Sequence, residues 1–275
     1  MEKNVIFWFS GTGNSLKAAK DIAAVLGDTE LVNMAAKPDQ FFCQAFLSRK
    51  AERIGFVYPC YAGGIPKAVV RFVEQLNLNS DSAGYVFQLV TCNENGGNCG
   101  VQMKRLLATK AVDLSYSKWV STVGNYIVLY QLEKHIDESL RAADEKTRAI
   151  AADIQVKKSG EIRGPVLPLR AFFGVFYAIG NHYMNTKPRQ FTVTDDCTGC
   201  GLCAKLCPAG NIAMREGSPT FEHSACAQCM ACIQWCPRQA VNCGTKTARR
   251  THYHHPEIQA GELFHTKNAT QGARV

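Results

Sequence analysis

Asn4-Val-Ile-Phe-Trp-Phe9 is the first stretch with a clear pattern, an almost unbroken apolar run. A strand buried on both faces of a parallel sheet reads this way. It gives way to Ser10-Gly-Thr-Gly-Asn-Ser15, after which Leu16, Ala19, Ile22, Ala23 and Leu26 recur at helical spacing and Gly27 closes the helix. The alternation continues. Glu30–Met34 predicts a second strand, Arg53–Tyr58 a third, Gly84–Val90 a fourth and Leu114–Val123 a fifth. Helices are predicted through Val69, Phe72, Val73 and Leu76, and through Met103, Leu106 and Leu107. Strands alternating with helices predict a parallel α/β sheet.

Two further helices follow. Ile136, Leu140, Ala143, Thr147, Ile150 and Ile154 mark one helical face, expected to cover the fifth strand. Lys157-Lys-Ser-Gly160 ends that helix, and Gly164-Pro165 with Pro168 predict a linker. Leu169, Phe172, Phe176 and Tyr183 then form a stripe backed by Phe173, Tyr177 and Ile179. We expect this helix to pack two domains together; docking on lipid is the alternative for so wide an aromatic face. Downstream the periodicity fades and cysteines dominate. The expected division is 1–158, a helical linker 159–189, a second domain 190–244 and a basic tail 245–275.

The loops carry the polar chemistry. Ser10–Ser15 sits between a strand and a helix N-terminus, where free N–H groups and hydroxyls can receive a phosphate. It lacks the Gly-Lys-Ser/Thr of a Walker loop and the last glycine of G-x-G-x-x-G. Pro59–Pro66 and Thr91–Gly100 follow the third and fourth strands as turn-rich loops, and Val123–Val128 follows the fifth.

Near the C-terminus, Cys197, Cys200, Cys203 and Cys207-Pro208 are echoed by Cys226, Cys229, Cys232 and Cys236-Pro237. Each run is C-x2-C-x2-C-x3-C-P. Zinc ribbons use C-x2-C pairs, but with four ligands per metal rather than two interlocked sets. Disulfides suit short secreted chains. From Phe191 to Cys243 the chain closely resembles the 2[4Fe–4S] ferredoxins. That resemblance implies one cluster on Cys197, Cys200, Cys203 and Cys236, and another on Cys226, Cys229, Cys232 and Cys207. The fourth cysteine, ahead of proline, serves the other cluster. Gly199, Gly201, Ala227 and Ala231 would let backbone N–H groups approach the sulfurs.

Residues 1–155 resemble the flavodoxins, whose phosphate loop is matched by Ser10, Thr12, Gly13, Asn14 and Ser15. The resemblance implies a doubly wound five-stranded sheet of order 2-1-3-4-5 and an FMN at its switch point. The ring would lie between Pro59, Cys60, Tyr61, Ala62 and Gly63 on one side and Thr91, Cys92, Asn93, Gly96 and Gly97 on the other. Tyr61 is the candidate stacking aromatic, with a merely buried tyrosine as the alternative. Asn125 and Tyr126 are candidates to contact a substrate or the second domain, with loop anchors as the alternative. The whole chain resembles the flavodoxin–ferredoxin fusion proteins of anaerobic bacteria and archaea, with an α/β flavodoxin-like domain ahead of an α+β ferredoxin domain.

Composition adds bounds. At 275 residues the chain can hold two domains. No apolar run reaches the roughly 20 residues needed to span a bilayer. No basic leader or cleavage site precedes the first strand, so a cytoplasmic location is expected. Of the 13 cysteines, Cys43, Cys60, Cys92, Cys99 and Cys243 lie outside the two runs and read as packed residues. A net charge of +8 favours an acidic redox partner. Nucleic acid is not expected, since no basic-aromatic stretch or binding motif accompanies the charge. The tail histidines at 252, 254 and 255 lack the partners of a metal site, and a mobile tail or one lying over the cluster domain is expected. The function implied is electron transfer between two [4Fe–4S] clusters and FMN. The alternative is an FMN-dependent reductase of a small organic acceptor, with a proton from Tyr126 or solvent; no His–carboxylate pair stands out for it.

Overall fold

The computed structural model describes residues 3–35, 50–81, 84–186, 190–222 and 226–264, except the side chains of 181–186. Cys43 and the Tyr183 side chain therefore lie outside the described residues.

Strand β1 (Asn4–Trp8) is buried at every position. So are β3 (Arg53–Pro59) and β4 (Val86–Cys92), save for Pro59. Such strands need cover on both faces, which a parallel sheet with crossover helices supplies. With β2 (Thr29–Asn33) and β5 (Tyr116–Ser121) they form one parallel sheet of order β2-β1-β3-β4-β5. This is the doubly wound, flavodoxin-like order, with its switch point between β1 and β3. Edge strand β5 buries Tyr116 and Val120 while Lys118 and Trp119 face out.

Helices α1 (Asn14–Leu26) and α4 (Ile136–Gln155) cover one face through Leu16, Ala19, Ile22, Ala143, Ile150 and Ile154. Helices α2 (Lys67–Gln75) and α3 (Cys99–Ala108) cover the other through Val69, Phe72, Val73, Met103 and Leu107. Each fully buried Leu, Ile or Phe contributes about 1.5–3 kcal/mol, so these two faces carry the domain.

Helix α5 (Leu167–Thr186) departs from expectation in two ways. Pro168 is not in the linker but in the first helical turn, where its missing N–H costs nothing. And the stripe expected to join the domains faces solvent: Leu169, Phe172 and Phe176 are 45%, 59% and 47% exposed. The neighbouring face does the packing. A Cβ on Gly63 would lie 2.7 Å from the Phe173 ring, and one on Gly180 would lie 2.7 Å from Ala62. Tyr177 Oη donates to the Ile65 carbonyl at 2.6 Å. A helix one residue round from the predicted register thus lies on the loop after β3. Among the described residues, no described contact of its stripe reaches the cysteine-rich part.

That part holds two small antiparallel pairs, β6 (Phe191–Val193) with β9 (Val241–Cys243) and β7 (Ile212–Arg215) with β8 (Ser218–Phe221). Each cysteine loop leads into one helical turn, α6 (Leu202–Lys205) and α7 (Ala231–Gln234). Phe191 stacks on Phe221 at 4.8 Å, within a core that includes Ile212, Ile233 and Val241. Ile127, from the loop after β5, enters the same core, so the two parts share it.

Beyond β9 the described part of the tail does not trail free: it packs on the cysteine-rich part, where the Tyr253 N–H donates to Gln234 Oε1 at 2.7 Å and His254 stacks on Trp235. Up to Phe264 it returns to α1, burying Tyr253, His255, Ile258 and Leu263. Lys20 pairs with Glu262 at 2.5 Å there. Among the described residues no helix is long and apolar enough to cross a membrane.

Candidate functional site

The loops that leave β1, β3, β4 and β5 meet around one cavity of about 470 Å3, within the roughly 300–1,000 Å3 usual for ligand pockets. Of the residues singled out from sequence, Ser10, Thr12, Asn14, Ser15, Pro59, Cys60, Tyr61, Ala62, Gly63, Thr91, Cys92 and Asn93 line it. Gly13, Gly96 and Gly97 shape the loops from behind. Gly13 has φ 100°, and at Gly97, with φ 52°, an added Cβ would collide with the Gly63 backbone. Asn125 and Tyr126 line the cavity as well. Three contributors were not foreseen: Leu129 with Tyr130, the α5 side chains Phe173, Phe176 and Ile179, and the segment Gln228–Met230. No local pattern marks them, because distant parts of the chain deliver them.

The loop at the start of α1 could hold an anion without a basic side chain. Helix α1 starts without a side-chain cap, and no acidic residue lies in its first turn. Its N-terminal N–H groups and the positive end of its dipole would meet an anion unopposed. Ser10 Oγ accepts from the Gly13 N–H at 3.0 Å, and Thr12 Oγ1 accepts from Asn125 Nδ2 at 2.5 Å. Each hydroxyl keeps its own proton to give away. Ser15 Oγ and Thr91 Oγ1 share a hydrogen bond at 2.7 Å. The loop carbonyls are engaged elsewhere: Trp235 Nε1 donates to Gly11 O at 3.0 Å, and the His255 N–H donates to Thr12 O at 2.8 Å. Lys17, the nearest lysine in the helix, is paired with Asp21 at 2.8 Å and Asp144 at 3.3 Å.

The Asn14 side chain acts as a rivet instead. Its amide donates to Thr122 Oγ1 and to the Val123 carbonyl, while its oxygen accepts from Tyr253 Oη at 2.6 Å. Burial pushes the Tyr253 hydroxyl well above the usual tyrosine range, so it stays a donor. Tyr253→Phe strands a buried acceptor, which costs about 1–3 kcal/mol. The expected result is a fall of several degrees in thermal unfolding midpoint; an unchanged midpoint would contradict this rivet.

The eight cysteines fall into two hollows. Cys197, Cys200, Cys203 and Cys236 surround one, with Met214 and Pro219. Cys207, Cys226, Cys229 and Cys232 surround the other, with Phe191, Ile212 and Phe221. Each run thus sends its last cysteine to the hollow of the other run. The two halves repeat at the level of single bonds. The Asn211 N–H donates to Cys207 Sγ at 3.2 Å, and the Ala240 N–H donates to Cys236 Sγ at 3.3 Å, four residues on in each case. Gly199 and Gly201 have φ 69° and 71°; their counterparts Gln228 and Met230 have 51° and 62°. A Cβ on Gly199 would lie 2.5 Å from the Gly217 carbonyl, which explains glycine there. Gln228 holds its left-handed backbone through its side chain, which donates to Cys226 Sγ and accepts from Tyr126 Oη. Among the described residues no three His, Cys, Asp or Glu side chains converge on a single metal ion. Four sulfurs spread round a hollow instead suit an iron–sulfide cube.

Cys229 lines both the second hollow and the large cavity. It sits against Gly11 so closely that an added Cβ would collide with the Cys229 carbonyl and lie 3.0 Å from its Cβ. Gln234 Nε2 donates to the Asn125 carbonyl at 2.7 Å, and Trp235 stacks on His254 at 4.0 Å. The cysteine-rich part is therefore a wall of the cavity.

Comparison with known proteins agrees with this division. Residues 196–241 match the 4Fe-4S dicluster domain. Over 45 residues the chain is 40% identical to a component of the ion-translocating oxidoreductase complex of Methanosarcina acetivorans, covering 16% of this chain and 17% of that one. Over 56 residues it is 30% identical to the ferredoxin-like protein in the nif region of Trichormus variabilis, covering 20% and 48%. The chain thus spans less than half the length of these curated relatives. Among solved structures, a flavodoxin from Streptococcus pneumonia matches at 18% identity and a TM-score of 0.37, covering 55% of this chain and 98% of that one. The two-electron reduced flavodoxin of Megasphaera elsdenii matches at 18% and 0.36, covering 54% and 98%. The fold class rests on the chain's own strand order rather than on likenesses at this level. Iron–sulfur chemistry and an electron-transfer role follow from the dicluster domain. With that domain set behind a flavodoxin-like sheet, the chain has the composition of the flavodoxin–ferredoxin fusion proteins.

Proposed function

We propose that this chain is an internal electron conduit between two [4Fe–4S] clusters and an FMN held in the large cavity. Cys229 carries the proposal, because one residue belongs both to a four-cysteine hollow and to the cavity wall. When bound, the clusters supply one-electron exchange and the flavin one- or two-electron exchange. The chain's own part is to position and insulate. Cys200 leaves the first hollow open at the surface, where a redox partner protein can dock. Cys207, Cys226 and Cys232 enclose the second hollow among Phe191, Ile212 and Phe221. Gly11 lets Cys229 approach the phosphate loop. The uncapped start of α1, with Ser10, Thr12 and Ser15, supplies neutral donors for a 5′-phosphate, and the loops after β3 and β4 flank the ring. The protein is expected to work in a reducing, cytoplasmic setting with an acidic partner.

The reductase alternative is weaker. Tyr126, the proton donor it would use, gives its hydroxyl proton to Gln228 at 3.0 Å.

Cofactor analysis of anaerobically purified protein tests the proposal. Released flavin is expected to be FMN, since the site favours a terminal phosphate. Thr12→Leu removes a hydroxyl donor at the loop and adds bulk where the Asn125 amide now bonds; losing a hydrogen bond to a charged group costs about 1.5–3 kcal/mol. FMN affinity is expected to drop at least tenfold. FAD in the native protein, or full FMN occupancy in the variant, would sink the assignment.

A further inference from the structure

Helix α5 touches the rest of the chain along one narrow line. From Leu167 to Gly180 its half-buried positions are Arg170, Phe173, Tyr177 and Gly180, three or four residues apart. The Asn98 amide donates to the Arg170 carbonyl at 3.0 Å, and Tyr177 Oη donates to the Ile65 carbonyl at 2.6 Å. Every other position from Val166 to Ile179 is exposed, and every one is apolar or glycine. Leu167 is 82% exposed and Ile179 63%. Helix α4 shows what this chain does with an ordinary surface helix. It too has 20 residues, yet its exposed positions include Asp137, Glu138, Arg141, Glu145, Lys146 and Arg148. Water does not stabilise a helix that shows it only apolar sides. Contiguous apolar surface on this scale marks an interaction site.

Lipid fits this arc better than protein does. The arc wraps most of the helix, with one line of contact beneath it. A second copy of the chain would cover the side that faces it, whereas lipid closes round all the exposed sides. Transient redox partners meet small surfaces with a polar rim, and this arc carries no charge. The charge beside it has one sign. From Ile162 to Thr194 the sequence has no Asp or Glu, but it has Arg163, Arg170, Lys187 and Arg189. The net charge of +8 repels a second copy and attracts an anionic surface.

We propose that α5 is an interfacial anchor that lays its exposed face into the headgroup boundary of an anionic lipid bilayer. It lies on the surface rather than across it, since it is not long and apolar enough to span. Leu167, Phe172 and Val175 enter the acyl boundary, and Arg163 and Arg170 stay at the level of the phosphates. Phe176 and Ile179 also line the large cavity. Docking therefore sets the rim of that cavity at the membrane surface. The anchor does not depend on what fills the cavity.

The test uses the full cluster-loaded chain without air. It is sedimented with vesicles of phosphatidylcholine alone, or of phosphatidylcholine mixed with phosphatidylglycerol. Binding to the mixed vesicles is expected, weakening as salt rises, with weaker binding to the neutral ones. Phe172→Asp combined with Val175→Asp changes two exposed residues that do not line the cavity. The double variant should bind the mixed vesicles at least about tenfold more weakly, with iron and FMN contents unchanged. In the native chain, amide hydrogen exchange over residues 166–179 should slow when the mixed vesicles are added. No binding, or binding that the double variant retains in full, overturns the anchor. Slowed exchange elsewhere with 166–179 unaffected overturns it too, because another surface then meets the lipid. Equal binding to both kinds of vesicle overturns the anionic assignment. A native dimer in sedimentation without lipid that the double variant breaks gives the face to a second copy and overturns the proposal. Should the double variant fail to fold, the exchange measurement on the native chain decides alone.

Discussion

Cys236→Ser is expected to halve the iron of the protein and to take it from the first hollow, although Cys236 lies in the second cysteine run. Native protein purified without air should hold about eight irons and eight sulfides if both hollows carry a [4Fe–4S] cube. Cys236 faces Cys197, Cys200 and Cys203, not the other members of its own run. A serine oxygen is a poorer iron ligand than a thiolate, and its shorter Cβ–O bond draws the acceptor back from the Ala240 N–H that now reaches Cys236 Sγ at 3.3 Å. About four irons should remain, in the hollow beside the cavity. Cys207→Ser should do the reverse. It removes a ligand from the hollow that contains Cys229, so the surface-facing set survives and the cavity-facing set does not. Iron and sulfide analysis of both variants, with rapid reduction of the flavin, separates the cases. Only Cys207→Ser should abolish flavin reduction by the remaining cluster. If each variant loses instead the cluster of its own run, the crossed pairing is wrong; zinc without acid-labile sulfide in the native protein would remove the clusters altogether.

The two cysteine runs were legible from their local spacing, and the sheet was legible too. Residues such as Ile6, Phe56 and Leu89 are buried on a sheet with helices on both faces, and an unbroken apolar run is the mark that leaves on a sequence. The loop Ser10–Ser15 was legible as a polar turn between a buried strand and a helix, the place where we propose that a phosphate binds. What periodicity could not fix was the side a helix turns to its neighbour when apolar residues encircle it. In α5, Phe172 and Phe173 are adjacent and equally apolar, yet Phe173 lies on Gly63 and Phe172 is exposed. The loop after β3 made that choice, because Gly63 and Gly64 leave room for an aromatic ring. The return of the tail was hidden for another reason. Tyr253, His254 and His255 read as a polar segment with basic neighbours, and the partners that hold them, Asn14, Trp235 and Thr12, lie far off in sequence. Long-range hydrogen bonds leave no period to read.

Electron transfer between the halves is expected to be intramolecular, and its sensitive point is Gly11 rather than the stripe of α5. The halves meet where Gly11 touches Cys229, where Trp235 Nε1 bonds the Gly11 carbonyl, and where Ile127 enters the core beneath the cysteine loops. Gly11→Ala places a methyl group against the Cys229 backbone, which cannot yield as a flexible side chain would. The contact must open, and transfer over the longer gap must slow. Trp235→Phe reaches the same contact more gently. It keeps the ring but leaves the buried Gly11 carbonyl without its donor, at a cost of about 1–3 kcal/mol. Phe172→Ser serves as the control, since that ring is 59% exposed and its described contacts are with Phe173 and Phe176 of its own helix. The clusters are reduced rapidly and flavin absorbance is followed at several protein concentrations, with iron and FMN measured in each sample. In the native chain the rate should not depend on concentration. Gly11→Ala should lower it at least severalfold with the clusters intact, Trp235→Phe should lower it less, and Phe172→Ser should leave it near the native value. A native rate that rises in proportion to concentration means that electrons pass between molecules, and the shared wall at Cys229 is then not their route. A drop in Phe172→Ser as large as that in Gly11→Ala would instead give the exposed face of α5 a part in docking that its contacts do not support.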